Sequence, residues 1–215
     1  MKHFYLIFFV ALCFSAVRGQ GISSAWVMTD AQGQTNTLIM AGNFFSVSTY
    51  SAEAFVTTYG GGFAEDGNKL ICTLEFHASD PEKVGTTMNL NLKKWENLDE
   101  GIPGDLGGAW LITGRMRNGE MTQRSPGPRK TMKILSGSRF QWIAYNTETR
   151  QFMGTGGGTY TTDEGKYIEN IEFFSRDQTR VGAALSFDFE LKEGKWHHSG
   201  KSSKGKDIYE VWGLR

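Results

Sequence analysis

Apolar and polar residues alternate with a period of two along most of this chain. In residues 183–192, the odd positions from Ala183 to Leu191 are apolar and their neighbours are mainly polar. Residues 70–77 and 87–93 show the same alternation. A period of two is typical of a β-strand with one buried and one exposed face. The pattern therefore predicts a chain built almost entirely of strands.

Turn sequences rich in Gly, Asn and Asp separate the strands, and no long amphipathic helix is predicted. Residues 80–83 and 176–180 are expected to form at most one helical turn each. Antiparallel strands that no helix covers must hide their edges by closing into a barrel or a sandwich. The triple glycines at residues 60–62 and 156–158 favour a barrel, because glycine within a strand is tolerated where a sheet bends sharply.

The second half of the chain repeats the first. Residues 39–50 align with residues 134–145 without a gap, the triple glycines coincide, and the match continues to residue 92 of the first copy and residue 189 of the second. Five similar patches in one order indicate a tandem duplication. The second copy continues into two more predicted strands, whereas the first ends near Trp95. The predicted fold is all-β, with two tandem antiparallel barrels, an incomplete N-terminal repeat at residues 20–100 and a C-terminal barrel at residues 106–215.

The N-terminus has the pattern of a signal peptide. An uncharged apolar run at residues 4–17 follows Lys2 and precedes Arg18, Gly19 and Gln20. This run is shorter than the roughly 20 residues that span a bilayer. We expect residues 1–19 to be removed by cleavage near Gly19, which makes the mature protein secreted or periplasmic and without a membrane span.

Charge and cysteine content narrow the classes further. The chain has 23 Lys and Arg against 23 Asp and Glu, a formal net charge of zero, so nucleic acid is not an expected partner. Cys13 lies in the predicted signal peptide and leaves Cys72 alone, which excludes an internal disulfide in the mature protein. Cys72 follows the apolar Ile71 and is expected to be a buried small side chain.

An ordered set of motifs marks the second copy. They are GAWL at 108–111, FQWIAY at 140–145, GGGTY at 156–160, YIENIEF at 167–173, KWHHSG at 195–200 and EVW at 210–212. In order and spacing they resemble the small secreted lipocalin-like (calycin-type) proteins of bacteria, over residues 106–215. The resemblance implies an up-and-down barrel of about eight strands with an interior cavity. The first copy shares the resemblance only through the duplication.

The inward faces of such strands are where a ligand would bind, because eight strands leave room for packed side chains or one small ligand. The candidate ligand-binding residues are Phe140, Trp142, Tyr160, Glu169, Phe173, Phe187, Phe189, Trp196 and His198. The alternative is that the aromatic ones simply fill the core. Glu169 either hydrogen-bonds inside the barrel to His198, Tyr160 or a ligand, or faces water from a bulged strand; the second is slightly favoured, because an unpaired buried charge is costly.

Metal and catalytic chemistry have little support. His197 and His198 are adjacent on a strand and point to opposite faces, so they cannot chelate one ion. Neither G-x-S-x-G nor H-E-x-x-H occurs. We expect no metal, no cofactor and no enzymatic activity. The cationic residues around the loop at 125–128 are expected to be solvated rather than to form an anion site. They are Arg115, Arg117, Arg124, Arg129 and Lys130.

Three functional hypotheses follow. The leading one is a secreted, non-enzymatic lipocalin-like protein that binds a small apolar or amphipathic molecule in a barrel cavity, so a small hydrophobic ligand is the expected partner. The alternative is a structural or protein/glycan interaction module with filled barrels. The third is an isomerase or hydrolase that uses an acid in the barrel, such as Glu169. The oligomeric state does not follow from the sequence.

Overall fold

The computed structural model describes residues 23–66, 69–99, 104–202 and 204–215. The predicted signal peptide lies outside the described residues. The strands are β1 (Ser23–Thr29), β2 (Thr35–Ala41), β3 (Phe44–Tyr50), β4 (Phe55–Asp66), β5 (Lys69–His77), β6 (Thr87–Leu90), β7 (Glu96–Asn97), β8 (Gly108–Arg117), β9 (Glu120–Gln123), β10 (Arg129–Leu135), β11 (Arg139–Asn146), β12 (Phe152–Asp163), β13 (Lys166–Phe174), β14 (Ala184–Lys192), β15 (Lys195–Lys201) and β16 (Asp207–Leu214). Three single-turn 3₁₀ helices accompany them, at Pro81–Lys83, Leu92–Lys94 and Gln178–Arg180. The all-β prediction is confirmed, as is the prediction of single turns at 80–83 and 176–180.

The second half of the chain forms a closed antiparallel barrel of eight strands. Strands β10 to β16 pair in sequence order, and β8 closes the barrel by pairing with both β16 and β10. The short strand β9 extends β8 as a hairpin outside the closed ring. The closing pairing joins residues 108–111 of β8 to residues 132–135 of β10, while residues 129–131 of β10 have no partner on β8.

The first half forms a seven-stranded sheet that stays open, with the order β6-β5-β4-β3-β2-β1-β7. In the described part of the chain, β6 and β7 do not pair with each other. The prediction of a second barrel is therefore wrong for this half. The physical reason lies after Leu90, where the chain leaves the sheet in the 3₁₀ turn Leu92–Lys94 and crosses to the two-residue strand β7.

Both sheets are bent at their triple glycines. The strand register shifts between Gly60 and Gly61 in the open sheet and between Gly157 and Gly158 in the barrel. A Cβ atom on Gly61 would lie 1.9 Å from the carbonyl oxygen of Thr73, and one on Gly158 would lie 2.0 Å from that of Asn170. Only glycine permits so close an approach of the neighbouring strand, which confirms the structural interpretation of these motifs.

One face of the open sheet packs against the outer wall of the barrel. The contact is an apolar cluster of residues that are 7% exposed or less: Ala25, Ile39, Ala41, Phe44 and Phe76 from the sheet, and Ala109, Met132, Ile134, Ile143 and Tyr145 from the barrel. The opposite face of the open sheet carries a second core that contains Cys72, which is fully buried as predicted. Burial raises the pKa of the Cys72 thiol to about 11.

Polar contacts across this interface come in reciprocal pairs. The Tyr50 hydroxyl of the sheet donates to Glu172 of the barrel at 2.8 Å, and the Tyr145 hydroxyl of the barrel donates to Glu75 of the sheet at 2.7 Å. Burial and the Glu172 carboxylate raise the pKa of Tyr50 to about 12, so the hydroxyl stays a donor. This reciprocity is the hallmark of a two-fold interface, here formed within one chain.

Gln141 lies at the centre of the interface. Its side-chain oxygen accepts from the Ser46 hydroxyl at 2.6 Å, and its amide nitrogen donates to Thr58 at 3.0 Å and to Thr155 at 2.9 Å. The buried amide is therefore bonded to both halves of the chain. Such bonds fix the angle between the two sheets, because a buried amide left unpaired is costly.

Candidate functional site

The barrel interior is filled by side chains. Its buried cluster contains Leu106, Trp110, Ile112, Leu135, Phe140, Tyr160, Tyr167, Ile171, Phe187, Trp196 and Trp212. Phe140, Tyr167 and Trp196 have no exposed surface at all. No water-sized space therefore adjoins these three rings.

Most of the predicted ligand-binding residues do meet inside the barrel. Phe140, Tyr160, Glu169, Phe187, Trp196 and His198 are each 4% exposed or less, while Trp142 and Phe189 are partly buried and pack against the same cluster. His198 lies beside Trp196, with ring centroids 5.3 Å apart. The predicted inward orientation of His198 is confirmed.

The inward placement of Phe173 is wrong. Its ring contacts Tyr50 of the open sheet, with centroids 4.7 Å apart, so the side chain lies in the interface and not in the barrel. The bulge in the pairing of β12 and β13 leaves Glu172 as an extra residue, and this reverses the alternation that placed Ile171 inward. Phe174 takes the inward position instead and packs against Trp142 at 5.4 Å.

Glu169 faces the barrel interior and does not face water, so the favoured expectation for it is wrong. Its Oε1 lies 2.7 Å from Nζ of Lys133, and the two side chains are 5% and 6% exposed. The Tyr167 hydroxyl also donates to Oε1, at 2.9 Å. The desolvation cost that favoured a water-facing position is offset by this ion pair and hydrogen bond.

Lys133 is the residue that the sequence analysis missed. It stands between Met132 and Ile134, which face the interface, so strand alternation places it inward. Its Nζ lies 4.9 Å from the ring centroids of both Tyr167 and Trp196. Aromatic faces attract a cation at this distance, so the rings hold the ammonium beside Glu169.

Four polar atoms beside this pair have no hydrogen-bond partner in the described part of the chain. They are Nε1 of Trp196, Nε1 of Trp212 and both ring nitrogens of His198. Nδ1 of His198 approaches Oε2 of Glu210 to 3.6 Å, beyond hydrogen-bonding distance. Burial and the nearby Lys133 charge lower the pKa of His198, which favours a neutral ring.

Glu210 connects this interior to one end of the barrel. Its Oε1 accepts from Arg115 at 2.6 Å. Burial opposes its ionisation, but the charges of the Arg115 guanidinium and the Lys133 ammonium lower the pKa of Glu210 below its ordinary value. The carboxylate is therefore charged and held between Arg115 and His198.

Cationic side chains surround the barrel end that Arg115 occupies. We call this group the basic mouth and define it as Arg115, Arg117, Arg124, Arg129 and Lys130. It lies where β8 ends and β10 begins, and Nη1 of Arg124 donates to the Thr131 hydroxyl at 3.2 Å. From the sequence these residues are expected to be solvated around the loop at 125–128; in the structure Arg115, Arg117, Arg129 and Lys130 belong to strands.

The open sheet lacks the polar interior of the barrel. The strand registers of the two halves correspond. Leu38 of the open sheet pairs with Trp26, just as Lys133 of the barrel pairs with Trp110, so Leu38 has the position of Lys133. Cys72 of the open sheet pairs with Phe63. Glu169 has the position equivalent to Cys72, because it pairs with Tyr160 in the same way. The open sheet thus has the apolar residues Leu38 and Cys72 at the positions where the barrel has Lys133 and Glu169.

An open cleft of about 280 Å³ lies on the surface between residues 53–55 and 174–178. None of the nine predicted ligand-binding residues lines it. In the described residues, no group of three or more His, Cys, Asp or Glu side chains is arranged to hold a metal ion. No described helix is long and apolar enough to cross a membrane.

Comparisons with known proteins identify no relative. No family model and no curated protein matches the chain. Among solved structures it is similar to the β subunit of DNA polymerase III from Thermotoga maritima, with 10% identity over 95% of this chain and 80% of that chain. The TM-score of 0.13 is too low to indicate a shared fold.

Proposed function

We propose that this protein is a secreted, non-enzymatic interaction module whose barrel is a packed scaffold and whose binding surfaces lie outside it. The observation that carries this proposal is the filled interior, where the Lys133–Glu169 pair is 5–6% exposed and its neighbours Tyr167 and Trp196 are fully buried. A ligand in the barrel would have to displace these rings or separate the ion pair. Either change costs several kcal/mol.

The two halves derive from duplication of one lipocalin-like unit. Shared strand order, corresponding registers and bulges at both triple glycines support this origin. Reciprocal ring contacts add to it, since Tyr50 packs against Phe173 at 4.7 Å and Tyr145 packs against Phe76 at 4.9 Å. The chain is then two copies of one unit joined in a single molecule, a closed barrel and an open sheet packed on its wall, which suits a rigid scaffold better than a container.

A second candidate, binding of a small apolar or amphipathic molecule inside the barrel, is favoured by the unpaired polar atoms of Trp196, Trp212 and His198. A ligand that supplied hydrogen-bond partners to these atoms would compensate part of the displacement cost. The two candidates differ in one property, namely whether small molecules reach the buried tryptophans.

Tryptophan fluorescence decides between them. The purified protein is titrated with fatty acids, isoprenoids and aromatic compounds, and thermal stability is followed in parallel. A packed scaffold gives no saturable change in buried-tryptophan emission. A compound that quenches saturably, raises the melting temperature and binds more weakly to Glu169→Gln than to Asp188→Asn would refute the scaffold. Asp188 is exposed, and among the described residues its one ion pair is with Lys166, so it is a matched control.

A further inference from the structure

The basic mouth gathers its cations from separate segments of the chain. Arg115 and Arg117 lie on β8, Arg129 and Lys130 on β10, and Arg124 in the connection between β9 and β10. The backbone N–H of Arg124 donates to the Thr113 carbonyl at 2.8 Å, which holds this connection against β8. The convergence is therefore a product of the fold and not of a local run of basic residues.

Alternation directs several of these side chains toward the barrel opening. The register of β8 and β16 shifts around Thr113, so that Arg115 lies opposite the inward Glu210. Arg117 shares the strand face of Arg115, and Arg129 shares that of the inward Lys133. The guanidinium groups of Arg115, Arg117 and Arg129 consequently face one opening, whereas Lys130 shares the outward strand face of Met132 at its rim.

Acidic side chains do not balance this group. In the described part of the chain, Glu210 pairs with Arg115, and no ion pair involves Arg117, Arg124, Arg129 or Lys130. Glu120 lies opposite Arg117 in the hairpin but not within ion-pair distance. The four cations other than Arg115 thus repel one another without an ion-pair partner among the described residues, and a bound anion would relieve this repulsion.

Two arginines of the basic mouth are only partly solvated. Nε of Arg115 is buried and has no acceptor. Burial and the charges of Arg129, Arg115 and Arg117 lower the pKa of Arg124. Partial burial of the Arg124 guanidinium without an ion-pair partner is unfavourable, and arginine is well suited to a carboxylate because its N–H groups match the geometry of that group.

Beneath these cations the opening is apolar. Trp142, Phe174, Leu185 and Ile208 are partly buried and pack against the barrel core. The Arg176 guanidinium lies 5.5 Å from the Trp142 ring centroid, which brings a further cation to this side of the barrel. A ligand with an anionic group and an apolar part could contact the cations with the first and these apolar side chains with the second.

We propose that the basic mouth is an anion-binding site that takes the carboxylate of a ligand whose remaining part lies against Trp142 and its apolar neighbours. The inference rests on the proposed function, since it supplies one of the binding surfaces outside the packed interior. Amphiphiles and acidic sugars both carry such groups, so the experiment separates them.

Iodide is the first probe, because it is an anion that quenches tryptophan on contact. Quenching is measured at constant ionic strength, with neutral acrylamide as the reference quencher and Trp142→Phe to assign the signal. We expect a saturable iodide component that Trp142→Phe removes. Arg124→Gln should weaken it at least about tenfold, which corresponds to loss of one charge-assisted hydrogen bond. Arg129→Gln, at an exposed position, keeps the test open if Arg124→Gln does not fold.

Lys93→Gln is the matched control, because Lys93 is exposed, loses the same charge and lies in the 3₁₀ turn Leu92–Lys94 of the other half of the chain. Equal weakening by Lys93→Gln, or linear quenching without saturation, would overturn the site. Octanoate and glucuronate are then added as competitors of iodide. Displacement of iodide by octanoate alone identifies an amphiphile as the ligand, and displacement by glucuronate alone identifies an acidic sugar. If neither compound displaces iodide, the site does not bind carboxylates. A negative iodide result would refute the anion site but not the proposal that the barrel is a packed scaffold. Binding of a ligand inside the barrel would refute the scaffold but not the anion site.

Discussion

The buried Lys133–Glu169 pair gives the sharpest test of how the barrel interior is stabilised. Lys133→Met keeps most of the side-chain volume but leaves the Glu169 carboxylate, 2.7 Å from the removed ammonium, without its counter-ion. Breaking one partner of a buried pair costs about 3–5 kcal/mol. For a domain of this size that loss lowers the melting temperature by roughly 6–20 °C. Chemical denaturation followed by circular dichroism gives the free energy of unfolding, and thermal melts give the melting temperature.

Removing the remaining polar groups of the pair should restore the stability that Lys133→Met loses. Lys133→Met combined with Glu169→Leu removes both charges but leaves the Tyr167 hydroxyl, which donates to Glu169, without an acceptor, at a cost of about 1–3 kcal/mol. Adding Tyr167→Phe removes this last polar group. The triple variant should be within about 1 kcal/mol of the parent or more stable than it. A triple variant no more stable than Lys133→Met, or a single variant that loses less than about 1 kcal/mol, would refute the electrostatic explanation.

Two further predictions concern acid stability and the glycine bends. Burial lowers the pKa of His198, so in mildly acidic solution the imidazole binds a proton in the unfolded chain but not in the folded one. The free energy of unfolding therefore falls as the pH drops below about 6.5, by at most about 1.4 kcal/mol per pH unit. His198→Phe should make this fall less steep. An unchanged slope of unfolding free energy against pH would contradict this. Gly158→Ala forces a Cβ onto the Asn170 carbonyl and should cost about 1–3 kcal/mol by chemical denaturation, whereas Gly127→Ala, with open space around it, should be neutral.

Strand alternation predicted the fold and much of the barrel interior, because a period of two needs no tertiary information. It placed His198 and Trp196 inward correctly, and both are 2% exposed or less. It failed at Phe173, where a bulge shifts the register between Gly157 and Gly158. The three glycines indicate in the sequence that the sheet bends here. They do not indicate which residue of the partner strand β13 is left unpaired by the bulge.

The partner of Glu169 could not be found from the sequence for a different reason. Lys133 lies 36 residues away, and only closure of the barrel brings it to Glu169. Alternation does place Lys133 inward beside Leu135, and that is the signal that could have suggested the pair. The basic mouth was likewise treated as a loop, because the Ser-Pro-Gly-Pro sequence obscures that its arginines belong to flanking strands.

The reciprocal interface has a consequence for how the molecule behaves on dilution. A pair of separate subunits held by Tyr50–Glu172 and Tyr145–Glu75 contacts would come apart as concentration falls. Here a connection of about ten residues joins the halves and fixes their effective concentration in the millimolar range. Assembly is thereby unimolecular, so the open sheet always has a partner to cover its apolar face.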